Sequence, residues 1–468
     1  MVTALLGLTL AGCGGSSGNE ELTTGGVVGQ QPEVPDSETG RPPGPATGSI
    51  QFPGVVVDPT EGGPPQLRPP TAAGPQPIKI GLLLPMTGPA AEAGQAMLSA
   101  AQLALFDAGD ARLTLLPRDT AGSPAGAIQA MSDVLSEGAE IVLGPVFADA
   151  VAAVAPRARD RGINVIAFSN DRTVAGEGVY LMGLLPEAQV SRVVGYADRQ
   201  GLRRFAVLAP DSPYGNRVIE AMQEAALQTG AEITQVVIYP AEAGPGDEAL
   251  LASVRRLADY EARRAALEDQ RKALEERDDE LSRRALKRLE SLDAYGELTY
   301  DAVLLADGGT RLTAVAPLLP FYDIDTSKIR LLGTALWDDP GIAAEPALQG
   351  AWFAAPPPTG RTAFQDRFRK VYGKKPPRIA SLAYDAVALT AILSAERPAE
   401  PSFAASETPV DIFAEEALTN LSGFVGYDGI FRFEVEGVAQ RGLSVLEVRQ
   451  RDFQEIDPAP SSFEDAFN

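Results

Sequence analysis

Nucleophilic, acid–base and metal chemistry draw on a short list of side chains, and this chain of 468 residues holds few of them. It has no histidine and one cysteine, Cys13. Without imidazole there is no Ser-His-Asp or Cys-His pair and no His-ligated zinc or haem. A lone cysteine forms neither an internal disulfide nor a cysteine-held cluster. No serine opens an S-x-x-K motif, and no Walker loop occurs. Gly14-Gly15-Ser16-Ser17-Gly18 spells G-x-S-x-G. That motif works only between a strand and a helix with a histidine partner, so here it is a chance match in a Gly/Ser tract. The 63 acidic residues give many chance carboxylate pairs, but nothing positions two of them for glycoside cleavage. Asp323-Ile324-Asp325 lacks the glycine and distal glutamate of an EF-hand and reads as a type I turn. No cofactor, metal or catalytic residue is expected. A formal net charge of −23 argues against nucleic acid as a partner.

Apolar residues make up 45% of the chain, enough to bury a core. Ile78–Pro85 reads as a buried strand, apolar almost throughout, followed by a helix near Glu92–Phe106. Further strands are expected at Arg112–Leu116, Ile141–Leu143 and Asn164–Phe168, with helices between. Ser123-Pro124 is a helix start, with an N-cap and a proline in the first turn. The rhythm restarts after Pro186, with strands near Phe205–Leu208, Ile233–Tyr239, Tyr300–Leu305, Ile329–Leu332 and Ala351–Ala354. Phe424–Phe433 and Leu443–Val448 read as a closing strand pair. Apolar strands alternating with amphipathic helices imply an α/β fold with parallel sheets covered on both faces, in two lobes.

Two segments depart from that rhythm. Gly14–Gln76 carries 25 Gly or Pro among 63 residues and one aromatic, Phe52. Such a composition predicts a disordered tether, spanning about 45 Å as a coil. Between Ala249 and Leu292 there is no Gly or Pro, and 21 of the 36 residues from Arg255 to Glu290 are charged. Tyr260, Leu267, Leu274 and Leu281 recur every seven residues, which predicts one long charged helix or a helical hairpin. It serves either as a solvated face or as a docking arm. Before the tether, Met1–Gly12 is a short apolar run that fits a signal sequence better than a membrane span.

Leu10-Ala11-Gly12-Cys13 resembles a bacterial lipobox, which implies lipidation of Cys13 and a periplasmic, membrane-anchored protein. Gly14 after the cysteine favours the outer membrane over the inner one in that resemblance. Ile80-Gly81-Leu82-Leu83-Leu84-Pro85-Met86-Thr87-Gly88, Arg118-Asp119-Thr120-Ala121-Gly122-Ser123-Pro124 and Ile141-Val142-Leu143-Gly144-Pro145 resemble the opening of type I periplasmic-binding proteins of the leucine-binding kind. Asp211-Ser212-Pro213-Tyr214-Gly215 resembles the turn after the first strand of their second lobe. Within that family, Tyr300–Asp307, Leu318-Leu319-Pro320-Phe321-Tyr322 and Leu348–Phe353 are similar to penicillin-binding-protein activators, lipoproteins that stimulate peptidoglycan synthases.

The resemblance implies two hinged lobes, with chain crossings near Pro186, near Pro356 and between Glu400 and Leu421. The expected organisation is 1–13 signal and lipobox, 14–76 tether, 77–186 with 356–400 as the N-terminal lobe, and 187–355 with 421–456 as the C-terminal lobe. The segment 249–292 is an insertion in the latter, and 457–468 a frayed tail. The cleft between lobes places candidate ligand contacts at Thr87, Phe147, Ala148, Ser169, Asn170 and Asp171 from the first lobe. From the second come Tyr214, Asp307, Gly308 and Thr334 to Trp337. Helix starts after Thr87 and Val146 would hold a carboxylate, and Asp307 or Asp338 an ammonium. The same Ser, Asn and Asp residues are also ordinary turn formers. Phe147, Phe168 and Trp337 would plug the cleft if they point inward. Two functions follow from the resemblance. One is a regulator acting by contact with a peptidoglycan synthase (a penicillin-binding protein). The other is a receptor that delivers an amino-acid-like solute to an ABC permease.

Overall fold

The computed structural model describes residues 77–277, 279–397 and 411–464. The expected signal, lipobox and tether, and the crossing expected from Glu400, begin or lie outside those residues.

The first lobe is built on five parallel strands: β1 (Ile78–Leu84), β2 (Leu113–Asp119), β3 (Ile141–Leu143), β4 (Val165–Ala167) and β5 (Val179–Leu181), in the order β2-β1-β3-β4-β5. Successive side chains alternate faces, so β1 serves two cores. Ile78, Ile80, Leu82 and Leu84 pack with the helices Ala91–Ala108 and Ala380–Ser394. Leu83 packs with Pro124–Ser136 and Ala148–Arg161 on the other side. Gly81 lets that second layer approach closely, since a Cβ there would lie 3.0 Å from Val134 Cγ2. The Ser123-Pro124 start works as expected, with Ser123 Oγ accepting from Gly126 N at 3.1 Å.

The second lobe holds β6 (Arg204–Asp211), β7 (Glu232–Pro240), β8 (Ala302–Leu305), β9 (Arg330–Gly333) and β10 (Trp352–Ala355), all parallel where they pair. A three-stranded antiparallel sheet follows, of β11 (Phe424–Gly426), β12 (Gly429–Phe433) and β13 (Ala439–Arg441). Then β14 (Ser444–Arg449) and β15 (Asp452–Asp457) extend the large sheet to β15-β14-β10-β9-β8-β6-β7.

This closing region differs from the sequence expectation. Phe424–Phe433 and Leu443–Val448 do not pair with each other. Phe431 and Phe433, two apart on β12, bury into the first-lobe core, where Phe433 lies 5.4 Å from Tyr180 between ring centroids. Ile412, Phe413 and Leu418 join the same core. Residues 421–441 therefore pack with the N-terminal lobe, and the C-terminal lobe regains the chain only at β14. The three crossings fall at Leu185-Pro186, Pro356-Pro357 and Gly442-Leu443, the last well beyond the expected 400–421. The expected frayed tail is also structured through residue 464. Phe463 is buried, with the Arg432 guanidinium 4.5 Å from its ring.

The charged insertion is three helices. Glu248–Leu257 packs Leu250, Val254 and Leu257 into the second-lobe core. The chain breaks at Asp259, whose φ of 46° ends the run, and Tyr260–Glu275 and Glu280–Leu289 form a hairpin. Arg271 Nη2 ties it by donating to Leu289 O at 2.6 Å. The turn falls between Leu274 and Leu281, so the heptad stripe does not continue. Leu267 is buried while Leu281 is 77% exposed. No helix among the described residues is long and apolar enough to cross a membrane.

Candidate functional site

The candidate contacts sit where strands end and loops turn, the usual ligand edge of open α/β sheets. On the first lobe, the loop after β1 is organised by Asp119 at the end of β2. Its Oδ1 accepts from Met86 N at 2.8 Å, Thr87 N at 3.2 Å and Ala121 N at 2.8 Å, and its Oδ2 accepts from Thr87 Oγ1 at 2.6 Å. Burial pushes the Asp119 carboxyl up, but these donors outweigh it and hold it below the usual carboxylate range. Phe147, 39% exposed, lays its ring over Gly122, where a Cβ would come within 3.3 Å. Ala148 is the first residue of its helix.

Beside β4, Ser169 is buried and its Oγ accepts from Asp171 N at 3.1 Å. Asn170 is exposed. Asp171 Oδ1 accepts from Thr173 N at 3.0 Å and Thr173 Oγ1 at 2.6 Å. It also accepts from Arg217 Nη2 at 3.0 Å, and Arg217 belongs to the second-lobe helix Pro213–Thr229. Here too burial raises the carboxyl, while Thr173 and Arg217 bring it below its ordinary range.

On the second lobe, the Tyr214 hydroxyl lies 2.8 Å from Thr334 Oγ1, with its pKa pushed up by burial. Asp307 is buried. Its Oδ2 accepts from the Tyr239 hydroxyl and pairs with Arg311 Nε at 3.0 Å, and its Oδ1 accepts from Gly308 N at 2.8 Å. Trp337 is fully buried and donates from Nε1 to Asp307 O at 2.9 Å. Its indole fills the space over Gly333, where a Cβ would fall 2.2 Å from the ring, and packs in the second-lobe core with Phe353.

The expectation that Trp337 contacts a ligand is therefore corrected, because the ring faces the core. Thr334 has no exposed surface either. Phe168 is likewise in the first-lobe core, so neither it nor Trp337 plugs the cleft. Asp338, expected to be free for an ammonium, is buried and paired with Arg361 and Arg378.

Ser169 and Asp171 are thus joined to the second lobe through Arg217, while Tyr214, Thr334, Trp337, Asp307 and Gly308 form a separate bonded group. Thr87 pairs instead with Asp119, and Phe147 with Gly122. Sequence reading missed Asp119, Arg217, Arg311 and Gln189. Gln189 pins the first crossing to the cleft floor: its Oε1 accepts from Ala335 N at 2.6 Å, and its Nε2 donates to Leu184 O and Leu185 O, each at 2.9 Å. Arg217 had a signal, one turn after Tyr214 on the same helix face. Glu187 was also missed. Its half-buried carboxyl is raised by burial and feels Arg172 and Arg217, and its Oε2 has no hydrogen-bond partner among the described residues. A cavity of about 570 Å³ lies away from this neighbourhood, between β7 and the insertion, lined by Val236, Arg255, Arg256 and Tyr260 among others.

Residues 77–452 match the family model described as periplasmic binding protein. An ABC transporter substrate-binding protein from Sphaerobacter thermophilus superposes with a TM-score of 0.61 at 19% identity, over 82% of this chain and 97% of that one. A putative branched-chain amino acid ABC transporter protein from Rhodospirillum rubrum gives 0.61 at 19% identity, over 81% of this chain and 100% of that one. Among curated sequences, an uncharacterised protein of Rickettsia prowazekii is 24% identical over 181 residues, 39% of this chain and 47% of that protein. The penicillin-binding protein activator LpoA of Vibrio cholerae is 28% identical over 156 residues, 32% of this chain and 25% of LpoA. The chain thus spans less than half the length of these curated relatives. With the matched model running through both lobes and all three crossings, the chain belongs to the periplasmic binding protein family.

Proposed function

We propose that the chain is a periplasmic lipoprotein that acts by protein contact, as an activator of a peptidoglycan synthase, anchored through Cys13 in the outer membrane. The observation that carries this reading is how the cleft uses its polar groups. Thr87, Ser169, Asp171, Tyr214 and Asp307 are each bonded to another residue of the protein. A solute would have to displace those partners, and at the buried Ser169 and Asp307 that would leave polar groups unpaired, a cost set against every new contact. The partial likeness to LpoA supports the same reading. Capture of detergent-solubilised peptidoglycan synthases on the immobilised chain tests it, with isothermal titration of free amino acids alongside. Synthase capture without amino-acid binding is expected; the reverse pattern overturns the reading. Labelling of Cys13 with radioactive palmitate, followed by membrane fractionation, tests the anchor.

One observation favours the alternative, a receptor passing an amino-acid-like solute to an ABC permease. The unpartnered Glu187 Oε2 lies close enough to Tyr214 and Arg217 to share their electrostatics, and it has the chemistry to accept an ammonium. Amino-acid titration of Glu187→Gln separates the two, since only a receptor would lose affinity.

A further inference from the structure

Six charged side chains meet where the chain crosses between lobes. Asp338 closes the short 3-10 turn after β9 and belongs to the second lobe. Arg361, on the first-lobe helix Pro358–Tyr372, pairs with its carboxylate and donates from Nη1 to its backbone oxygen at 2.7 Å. Arg378 Nε lies 3.2 Å from Asp338 Oδ2, and its Nη1 lies 2.8 Å from Asp428 Oδ1. Ser381 Oγ donates to Asp428 Oδ2 at 2.9 Å. Asp385 accepts from the backbone of Tyr427 and Asp428 at 2.9 and 3.1 Å. Arg441, one residue before the third crossing, donates from Nη2 to Met182 O at 2.6 Å and feels both Asp428 and Asp385. Asp338, Asp385, Asp428 and Arg441 are buried.

The distribution between lobes is unequal. The first lobe supplies three arginines and two aspartates, Asp385 and Asp428, and the second supplies only Asp338. Separating the lobes here would strip Asp338 from Arg361 and Arg378 and leave a buried carboxylate without its partners. Removing one member of a buried ionic group is among the costliest changes a fold can suffer. At the cleft, Asp171 and Arg217 add a second, more exposed bridge.

We propose that Asp338, gripped by Arg361 and Arg378, is an interlobe latch that holds the two lobes at one fixed closure. Solute receptors of this fold work by hinged closure around a ligand; a latched molecule instead presents one constant surface to a partner. The latch deepens the regulator reading and takes its purpose from it.

The test is the distribution of distances between spin labels at Ala152→Cys and Gln228→Cys, on exposed faces of the two lobes, in the full chain carrying Cys13→Ser. The expected result is one narrow population that an excess of L-leucine leaves unmoved. Asp338→Asn should replace it with a broad or double population. A broad wild-type distribution, a shift with leucine, or a folded Asp338→Asn of unchanged width would overturn the latch. The wild-type measurement decides even where a variant fails to fold. Synthase capture is read separately, so a narrow population without capture defeats the regulator reading and leaves the latch standing.

Discussion

Among the described residues, Asp–Arg bridges join the lobes at two places, and they are built differently. At the cleft, the Asp171 and Arg217 side chains keep 28% and 23% of their exposure. At the hinge, Asp338 keeps 5%, and Arg361 and Arg378 keep 19% and 18%. Water weakens the first contact, and loss of one member leaves nothing stranded. In the second, loss of one member strips a counter-charge from a buried group. The comparison teaches that the contact visible from outside need not be the one that governs how the halves sit.

Arg361→Ala puts the greatest strain on this contrast. It strands Asp338 beside a single arginine and should cost about 3–5 kcal/mol, read as a lowered midpoint in urea unfolding. Next comes the pH response of the hinge. Burial first, and Asp428 second, push the Asp385 carboxyl up to about 7 from its ordinary 3.8. Through that window the folded chain keeps a proton that the unfolded chain has released. The Asp385 contribution to stability therefore falls as pH rises from about 4 to about 7 and is flat above. The difference in unfolding midpoint between wild type and Asp385→Asn should follow that curve, and a difference independent of pH would show that Asp385 does not titrate there. The smallest change is expected for Asp171→Asn, below about 1 kcal/mol in stability. A larger loss would erase the distinction between the two bridges.

The layers were legible because a strand buried on both faces must be apolar almost throughout, and Ile78–Leu84 is, but for Lys79. The start at Ser123-Pro124 was legible because capping is local. The closing strands were not. Phe424–Phe433 and Leu443–Val448 look like neighbours in sequence, but where Phe431 and Phe433 go depends on Tyr180, about 250 residues earlier, whose ring contact no pattern announces. The candidate contacts were legible as loop positions and opaque in use. Thr87 and Asp171 were recognisable as polar residues after strands. That Asp119 and Arg217 already occupy them follows only from tertiary proximity. Of the hinge group only Asp338 was noticed in sequence, and for an ammonium rather than a latch, because its partners are scattered from Arg361 to Arg441 and each alone resembles a surface charge.

The route of the chain also bears on how it becomes a folded object. The first-lobe core waits for Phe431, Phe433 and Ala439, and the second-lobe sheet waits for Val445 and Leu446. A polypeptide emerging amino end first cannot complete the first half before Ala439 is out, or the second before Leu446 is, so a chain stopped before Phe431 would expose two unfinished apolar surfaces rather than deliver one finished lobe.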